Sequence, residues 1–274
     1  IAYRLCVKGT RRPGDYDLSS LRVALNASEP IHLETYKLFE ETFNLKNVMH
    51  AGYGLAEATV AVTMHPPGQP PRVDSNNYVA SGIPVSGIKI RIDKKNYPNI
   101  ATNAGEILVK SPALMKGYFN KGKTPDPFDS EGFLRTGDVG YIDKDGHLYV
   151  LSRKKNIILH AGHTLYPDDV EQVIVSMEEI RQAAAVGINN PNTGGEMRYD
   201  FAELRRQKAP PEEICHDLVI RIVQRIYDHF GLRPGKVILL KPKSLPHTPN
   251  GKMQYSKLKE LYLSNPDGLS LLYC

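Results

Sequence analysis

The sequence predicts a protein of mixed α/β and α+β class, in which an α/β segment, a small antiparallel β segment and a compact α+β segment follow one another. Strands and a helix alternate at the start, which is typical of parallel strand pairing. Short alternating strands with closely spaced turns come next, which is typical of a small barrel or a twisted sheet. The last part combines strands with amphipathic helices, and we place its boundary at 152–155.

The first segment, 1–63, carries the α/β pattern. The apolar runs LRVAL at 21–25 and KNVMH at 46–50 suit short buried strands, and LETYKLFEETF at 33–43 has its apolar residues at helical spacing. In this strand–helix–strand order, the loops after the strands form the edge where α/β proteins bind ligands. The proline-rich stretch at 64–77 then predicts a loop.

The second segment, 78–152, carries the antiparallel pattern. IKIRI at 88–92 places three isoleucines on one face of a strand. The tetrapeptide RTGD at 135–138 is predicted to lie at the mouth of a β-hairpin, and Asp145-Gly146 is a hairpin turn signal. These features favour a small antiparallel barrel or a twisted sheet.

The last segment, 153–274, predicts two main helices among several strands. PDDVEQVIVSM at 167–177 indicates a helix with Asp168 as its N-terminal cap. PPEEICHDLVIRIVQRIYDHFG is the strongest helix signal, with Pro211 near its start and Gly231 at its end. The predicted buried stripe of this helix consists of Ile214, Leu218, Ile222 and Ile226.

The composition of the 274 residues is that of a globular protein, with 41% hydrophobic and 24% charged residues. The apolar runs fall short of the ~20 residues that a membrane helix needs, so no transmembrane segment is predicted. Three widely spaced cysteines without metal-ligand spacing indicate a reducing compartment, and the cytoplasm is the expected location. A net charge of +5 without a nucleic-acid motif argues against a nucleic-acid partner.

Four separated stretches carry residue types that catalysis uses. Each has a structural explanation when taken alone, since Tyr53 could pack, Glu57 could cap a helix, Asp138 could hold a turn and Lys252 could be a solvated turn residue. The stretches are GYGLAEATV (52–60), GFLRTGDVGY (132–141), SRKKNIILHAGHTLYPDDVE (152–171) and LPHTPNGKMQYSKLKELY (245–262). These separate structural explanations do not account for the occurrence of all four stretches in one chain and in this order.

In this order and spacing, the four stretches resemble the second half of the adenylate-forming enzymes, the superfamily of acyl-CoA synthetases, luciferases and peptide-synthetase adenylation domains. Within it, IAYRLCV, DLSSLRVALNASEP, YGLAEATV and the YP-D-VE pattern of 166–171 resemble the fatty acyl-AMP ligases. The resemblance extends from Ile1 to about Leu263. It implies the end of the large domain at 1–152, with an α/β part and a β-barrel part, and the small mobile domain at 153–274.

Resemblance to that branch implies a parent enzyme that is an ATP-dependent ligase of fatty acid metabolism. In that chemistry a carboxylate attacks the α-phosphate of ATP, which forms acyl-AMP and releases pyrophosphate, and a thiol later takes the acyl group. The implied partners are a fatty acid, ATP with Mg²⁺ and an acyl carrier protein. Such a reaction leaves the protein mainly to position the reactants and to neutralise negative charge.

The same resemblance implies a set of nucleotide-binding residues. Tyr53 would stack against adenine, with Gly54 beside it. The NASEP loop, which contains Ser28 and Glu29, would pass its backbone along the same ring. Asp138 would accept both ribose hydroxyls through its two carboxylate oxygens.

The remaining implied roles concern charge and movement. Glu57 would hold Mg²⁺ on the phosphates, since this hard cation prefers carboxylate oxygen. Arg153 would reach the ribose–phosphate side of the nucleotide, and Lys155 matches the hinge about which the small domain rotates. Lys252 would be the catalytic lysine, which stabilises the charge that develops between the carboxylate and the α-phosphate.

One motif of the superfamily is not in these residues. Its phosphate loop is rich in glycine, serine and threonine, whereas NTGGE at 192–196 is short and lies in the wrong domain. The chain therefore resembles roughly the C-terminal half of a longer enzyme. We expect it to be nearly inactive alone, because the backbone amides and hydroxyls of that loop carry much of the charge of the triphosphate.

Other functions stay open at this point. An acyl-CoA synthetase needs the same adenylation residues and differs in its acceptor, coenzyme A. A catalytically silent interaction module is a further alternative, although the retained Glu57, Asp138, Arg153 and Lys252 count against it. A generic nucleotide-binding oxidoreductase would carry a glycine fingerprint after a strand, which this sequence lacks. The sequence does not define the acyl chain length or the oligomeric state.

Overall fold

The computed structural model describes residues 2–28, 32–95, 103–119, 125–189, 195–206, 210–249, 251–264 and 269, and the backbone of 271–273. The chain forms two compact units, Ile1–Leu151 and Ser152–Cys274. Helices and strands are mixed in both units, which confirms the predicted fold class.

The first unit begins with the predicted strand–helix–strand arrangement. Its first elements are helix α1 (Ala2–Gly9), strand β1 (Ala24–Asn26), helix α2 (Leu33–Thr42) and strand β2 (Met49–Tyr53). Strands β1 and β2 pair in parallel, which requires a crossover connection such as the one through α2. Helix α2 buries Tyr36 and Phe39 in the adjoining core, so the helix prediction is confirmed.

Two short strands extend this sheet beyond β2. Strands β3 (Thr63–Met64) and β4 (Ile83–Pro84) give the order β1-β2-β3-β4, and the pairings of β3 with β2 and with β4 are antiparallel. The sheet is therefore mixed rather than parallel throughout. Between β3 and β4 the chain is a loop with one isolated bridge, Val73 to Val79, which confirms the loop prediction from the proline-rich sequence.

The rest of the first unit contains a second sheet of four strands. They are β5 (Lys89–Asp93), β6 (Gly105–Lys110), β7 (Leu134–Ile142) and β8 (Leu148–Arg153), adjacent in that order. The isoleucine face of β5 packs against a core that includes Ile107 and Leu148, as predicted. Gly146 (φ 86°) lies in the predicted turn between β7 and β8, and its N–H donates to the carbonyl of Asp143 (3.1 Å).

The RTGD tetrapeptide lies near the start of β7, at the open end of the hairpin that β7 forms with β8. The pairing of β7 with β6 changes register there, since Glu106 faces Val139 and Leu108 faces Arg135. Three residues of β7 therefore stand opposite Ile107, which is a β-bulge. The sequence of β7 alone could not show this bulge, because strand register depends on both partners.

The second unit has a four-stranded sheet with helices on both faces. Its elements in chain order are β9 (Ile158–His160), β10 (His163–Leu165), α3 (Pro167–Val175), β11 (Ile180–Asn189), β12 (Glu196–Leu204), α4 (Glu212–Phe230), β13 (Lys236–Leu240), α5 (Tyr255–Ser264) and β14 (Leu271–Tyr273). The sheet order is β11-β12-β13-β14, with a parallel β12–β13 pair between two antiparallel pairs. Helices α3 and α4 share one core with this sheet, and α5 belongs to a second core.

Helix α4 confirms the strongest helix prediction, with one correction to its buried stripe. It begins after Pro211 and ends at Gly231, which adopts the left-handed conformation (φ 68°) that favours glycine at this position. Ile214 was predicted to be buried but is 53% exposed, whereas Cys215 is buried. Residues spaced by four drift by about 40° per step around a helix of 3.6 residues per turn. Ile214 has therefore rotated away from the side on which Ile222 and Ile226 lie, whereas Cys215 stays close to it.

Helix α3 forms as predicted, but Asp168 is not its cap. Tyr166 occupies the N-cap position and makes no side-chain capping bond, while Pro167 and then Asp168 form the first turn. Proline fits the first helical position because its missing N–H has no partner there in any case. The N-cap, and with it the start of the helix, therefore lies two residues before the position that the capping pattern indicated.

Candidate nucleotide site

The edge formed by the carboxyl ends of β1 and β2 carries several of the predicted nucleotide-binding residues. Asn26, the last residue of β1, stands opposite Ala51 of β2, so the loop after β1 lies beside the end of β2. Ser28 in this loop is exposed and has a positive φ of 71°. Glu29, the other predicted loop residue, lies outside the described residues. The predicted adenine residue, Tyr53, is the last residue of β2.

Gly54 directly follows β2 at a point where no side chain fits. A Cβ atom added to Gly54 would lie 1.3 Å from the carbonyl oxygen of Val60. The turn after β2 folds back over Gly54, with the N–H of Val62 donating to the carbonyl of Tyr53 (2.8 Å). Thr59 (φ 53°) and Val60 (φ 84°) both adopt left-handed backbone, a strained conformation for β-branched residues that is concentrated at functional sites.

Asp138 reaches the same edge from the second sheet of the first unit. Its carboxylate oxygen Oδ2 accepts a hydrogen bond from the hydroxyl of Tyr53 at 2.6 Å, and Asp138 is only 5% exposed. The structure thus brings together the residues that the resemblance assigned to adenine and to ribose. A half-buried aromatic ring beside a buried carboxylate offers an apolar face for a base and acceptors for hydroxyl groups.

Glu57 lies in a short 3₁₀ turn, Ala56–Ala58, that follows Gly54. The hydroxyl of Tyr118 donates to its Oε1 (2.8 Å), and the N–H of Met115 donates to its backbone carbonyl (2.8 Å). The loop after β6 therefore holds this turn in place. Sequence reasoning missed Tyr118, because 61 positions separate it from Glu57 and nothing local links them.

The donor set around Glu57 fits a magnesium ion that is shared with phosphate groups. Within the described residues, no three or more His, Cys, Asp or Glu side chains form a group that could hold a metal. Mg²⁺ is commonly bound through one or two carboxylates together with substrate phosphates and water. A single partly exposed carboxylate, held by Tyr118, is compatible with that mode of binding.

The second unit carries the predicted hinge and catalytic residues on two separate segments. Arg153 ends β8, and Lys155 follows in the 3₁₀ turn Lys154–Asn156; both are exposed. Lys252 is exposed on a turn closed by a bridge between His247 and Met253. Asn250 of the same turn lies outside the described residues.

Thr248 holds the turn that bears Lys252. The backbone N–H of Lys252 donates to Oγ1 of Thr248 (3.0 Å), and the N–H of Thr248 donates to the carbonyl of Lys252 (2.8 Å). Helix α5 begins shortly afterwards at Tyr255, whose hydroxyl donates to Oε2 of Glu171 (3.1 Å). The backbone of Lys252 is thus held by Thr248, and Lys252 is exposed.

A group of acidic side chains in the second unit was not foreseen from the sequence. Burial, with a contribution from Asp169, raises the pKa of Asp168 to about 7. Burial also raises the pKa of Glu171 well above its ordinary value. It raises the pKa of Asp200 to about 6, although the adjacent Arg198 (Nε–Oδ2 3.1 Å) acts in the opposite direction.

Comparison with known proteins identifies the family. The family described as AMP-binding enzyme matches residues 2–119, and the family described as AMP-binding enzyme C-terminal domain matches residues 169–252. The two matched regions thus resemble two successive parts of the enzymes that these families describe. The chain belongs to the adenylate-forming superfamily.

Curated relatives include ligases with different acceptors. The chain is 30% identical over 305 residues to the medium-chain-fatty-acid–[acyl-carrier-protein] ligase JamA of Moorena producens, covering 96% of this chain and 51% of the relative. It is 29% identical over 248 residues to the probable 4-coumarate–CoA ligase 2 of Dictyostelium discoideum, covering 90% of this chain and 43% of the relative. The chain spans about half the length of the curated relatives it matches.

Solved structures show the same fold. A chain from structural and functional studies of fatty acyl-adenylate ligases from E. coli and L. pneumophila matches with a TM-score of 0.77 and 28% identity. The match covers 95% of this chain and 51% of that chain. Separately, none of the helices in the described part of this chain is long and apolar enough to cross a membrane.

Proposed function

We propose that the chain is the C-terminal part of a fatty acyl-AMP ligase, which activates a fatty acid with ATP and transfers the acyl group to the thiol of an acyl carrier protein. The observation that carries the proposal is the contact between Tyr53 and Asp138, because the proposal assigns these two residues to adenine and to ribose. Similarity to the carrier-protein ligase JamA and to fatty acyl-adenylate ligases supports the fatty acid branch.

In the proposed site, residues of the first unit bind the nucleoside. The ring of Tyr53 stacks on adenine, and Gly54 lets the backbone approach the base because no side chain fits there. The loop that contains Ser28 would lie along the base. The carboxylate of Asp138 accepts hydrogen bonds from the ribose hydroxyls, a bidentate contact that two carboxylate oxygens can make.

The proposed reaction also requires that the negative charge of the phosphates is neutralised. Glu57 would hold Mg²⁺, which neutralises phosphate charge when it is bound. Arg153 contacts the ribose–phosphate side of the nucleotide, and the backbone at Lys155 serves as the hinge. Lys252 places a compact positive charge on a long stem where negative charge develops between the acyl carboxylate and the α-phosphate.

An acyl-CoA synthetase is the second candidate function, and similarity to a coenzyme A ligase favours it. A test supplies the chain with a synthetic fatty acyl-AMP and either a carrier protein bearing phosphopantetheine or free coenzyme A. The proposal expects acyl transfer to the carrier protein and little to coenzyme A. Equal or preferred transfer to coenzyme A would favour the synthetase instead.

The third candidate, a silent interaction module, has no need to bind an adenylate. Calorimetric titration with AMP separates it from both ligases, since both require a nucleotide site. Pyrophosphate release from ATP and a fatty acid tests a further part of the proposal, namely that these residues alone are nearly inactive. Robust turnover would refute that part.

A cytoplasmic location stays part of the proposal, supported by the free thiols of Cys6 and Cys215.

A further inference from the structure

We infer that Thr136 is the positioning residue that sets the Asp138 carboxylate for ribose recognition. Thr136 would not contact the nucleotide itself, and the inference rests on the proposed function of Asp138. The evidence is the local geometry of the bulge in β7, where Thr136, Gly137 and Asp138 stand opposite Ile107.

The bulge interrupts the hydrogen-bond ladder between β6 and β7, and the Thr136 side chain makes one bond across to β6 and one within β7. Its hydroxyl donates to the backbone carbonyl of Ile107 (2.8 Å) and accepts from the backbone N–H of Asp138 (3.0 Å). Gly137 between them has a φ of 70°, a left-handed conformation that turns the chain within the bulge. A single side chain thus ties the Asp138 backbone to the neighbouring strand.

Burial makes these two hydrogen bonds consequential. Thr136 is 7% exposed and Asp138 is 5% exposed, so water does not readily replace the hydroxyl. A buried N–H or carbonyl that loses its partner carries the full desolvation penalty, and the backbone would shift to relieve it. Because the Asp138 carboxylate is attached directly to that backbone, such a shift changes the place of both carboxylate oxygens.

Asp138 is therefore fixed at two points. Thr136 holds its backbone N–H, and the Tyr53 hydroxyl holds its Oδ2 (2.6 Å). A bidentate contact with two ribose hydroxyls needs both carboxylate oxygens at defined positions, and small displacements of binding groups weaken such contacts strongly. A serine at position 136 retains the hydroxyl, whereas a valine retains the shape of threonine without it.

The test compares the affinity of the chain for AMP with its affinity for 2′,3′-dideoxy-AMP, which lacks both ribose hydroxyls. General destabilisation lowers both affinities alike, so their ratio reports the placement of Asp138. Isothermal titration of the wild-type chain is expected to show a preference for AMP of about tenfold to a hundredfold, the range for hydrogen bonds to a charged group. Thr136→Val should reduce this preference to about twofold or less, and Thr136→Ser should keep most of it.

Thr35→Val is the matched control, because Thr35 is also buried in the first unit and its hydroxyl accepts a bond from Arg4 (3.0 Å). It should leave the preference for AMP unchanged. A wild-type preference that persists in Thr136→Val would overturn the inference alone. A wild-type chain that binds both nucleotides equally, or neither, would contradict the proposed function. If circular dichroism shows that Thr136→Val is unfolded, Thr136→Ala takes its place with the same outcomes.

Discussion

The hydroxyl of Tyr53 donates a hydrogen bond to Oδ2 of Asp138 over 2.6 Å, although 85 positions separate the two residues in the chain. Tyr53 ends β2 in the mixed sheet β1–β4, and Asp138 lies in the bulge of β7 in the sheet β5–β8. The contact therefore joins the two sheets of the first unit at the proposed nucleotide site.

The first prediction concerns this hydroxyl. Tyr53→Phe retains the ring for stacking but removes a donor from a buried carboxylate, so AMP binding should weaken by roughly threefold to tenfold. Tyr53→Ala, which also removes the ring, should weaken it further. Tyr3→Phe is the matched control, because the Tyr3 hydroxyl donates to the carbonyl of Leu25 (2.7 Å) rather than to a site residue. Calorimetric titration of the variants measures the effect; equal AMP affinities of wild type and Tyr53→Phe would refute the prediction.

The second prediction concerns the close backbone approach at Gly54. Gly54→Ala places a Cβ 1.3 Å from the Val60 carbonyl oxygen, so the turn must move. We expect the free energy of unfolding to fall by about 1–3 kcal/mol and AMP binding to weaken. Urea denaturation measures the first effect. Gly14→Ala, where an added Cβ has nothing within 4 Å, should have little effect, and similar losses in both variants would contradict the account.

The third prediction concerns pH and the second unit. Burial raises the pKa of Asp168 to about 7 and that of Asp200 to about 6, whereas an unfolded aspartate titrates near 4. Between about pH 4 and pH 7, the folded unit therefore binds more protons than the unfolded chain does. The resulting stabilisation is fully present below about pH 4 and is lost as the pH rises through about 7.

Calorimetric melting at pH 5 and pH 8 tests this prediction. The second unit should melt at a lower temperature at pH 8 than at pH 5. Asp168→Asn should make this difference in melting temperature smaller, because asparagine does not titrate. The exposed Asp228→Asn should leave the difference as it is in the wild type. Two results would contradict the prediction that the pKa of Asp168 is raised. One is the same wild-type melting temperature at both pH values, and the other is a melting-temperature difference in Asp168→Asn equal to that of the wild type.

The fourth prediction concerns Glu203, which anchors the segment before the Lys252 turn. Its buried Oε2 accepts hydrogen bonds from the backbone N–H groups of Ser244 (3.0 Å) and Leu245 (3.1 Å), and Oε1 pairs with Arg181. Glu203→Ala should lower the free energy of unfolding of the second unit by about 2–4 kcal/mol, because it leaves buried amides unpaired.

Glu203→Gln should cost less than Glu203→Ala, since its amide oxygen can still accept the two backbone bonds. The exposed Glu260→Ala on α5 is the control and should stay within about 0.5 kcal/mol of the wild type. Urea denaturation of the three variants is the measurement. A loss in Glu203→Ala no larger than that in Glu260→Ala would count against the anchoring role.

The parts of the fold that local sequence determines were predictable. Helix α2 and the Gly146 turn follow from periodicity and from the conformational freedom of glycine. The bulge at Thr136 was not predictable, because it depends on the register between β6 and β7. At helix ends, Pro167 took the first position ahead of the expected Asp168 cap, and a local pattern allowed either start.

Knowledge of the site divides in the same way. Tyr53 and Asp138 were singled out by their motifs, yet only the folded chain shows their contact. Tyr118 was missed because its role depends on a loop packing against Glu57 from a distant part of the sequence. Long-range contacts of this kind arise from tertiary packing, which residue patterns within a short window do not contain.

The most direct test of the central claim is calorimetric titration of the chain with a non-hydrolysable acyl-adenylate analogue, compared with the same titration of Asp138→Ala. The account predicts saturable binding of one analogue per chain and a loss of about tenfold to a hundredfold in affinity on removal of the carboxylate. Thr35→Val should bind as the wild type does. Absence of binding by the wild-type chain, or equal affinity of wild type and Asp138→Ala, would contradict the claim that Tyr53 and Asp138 form an adenosine site.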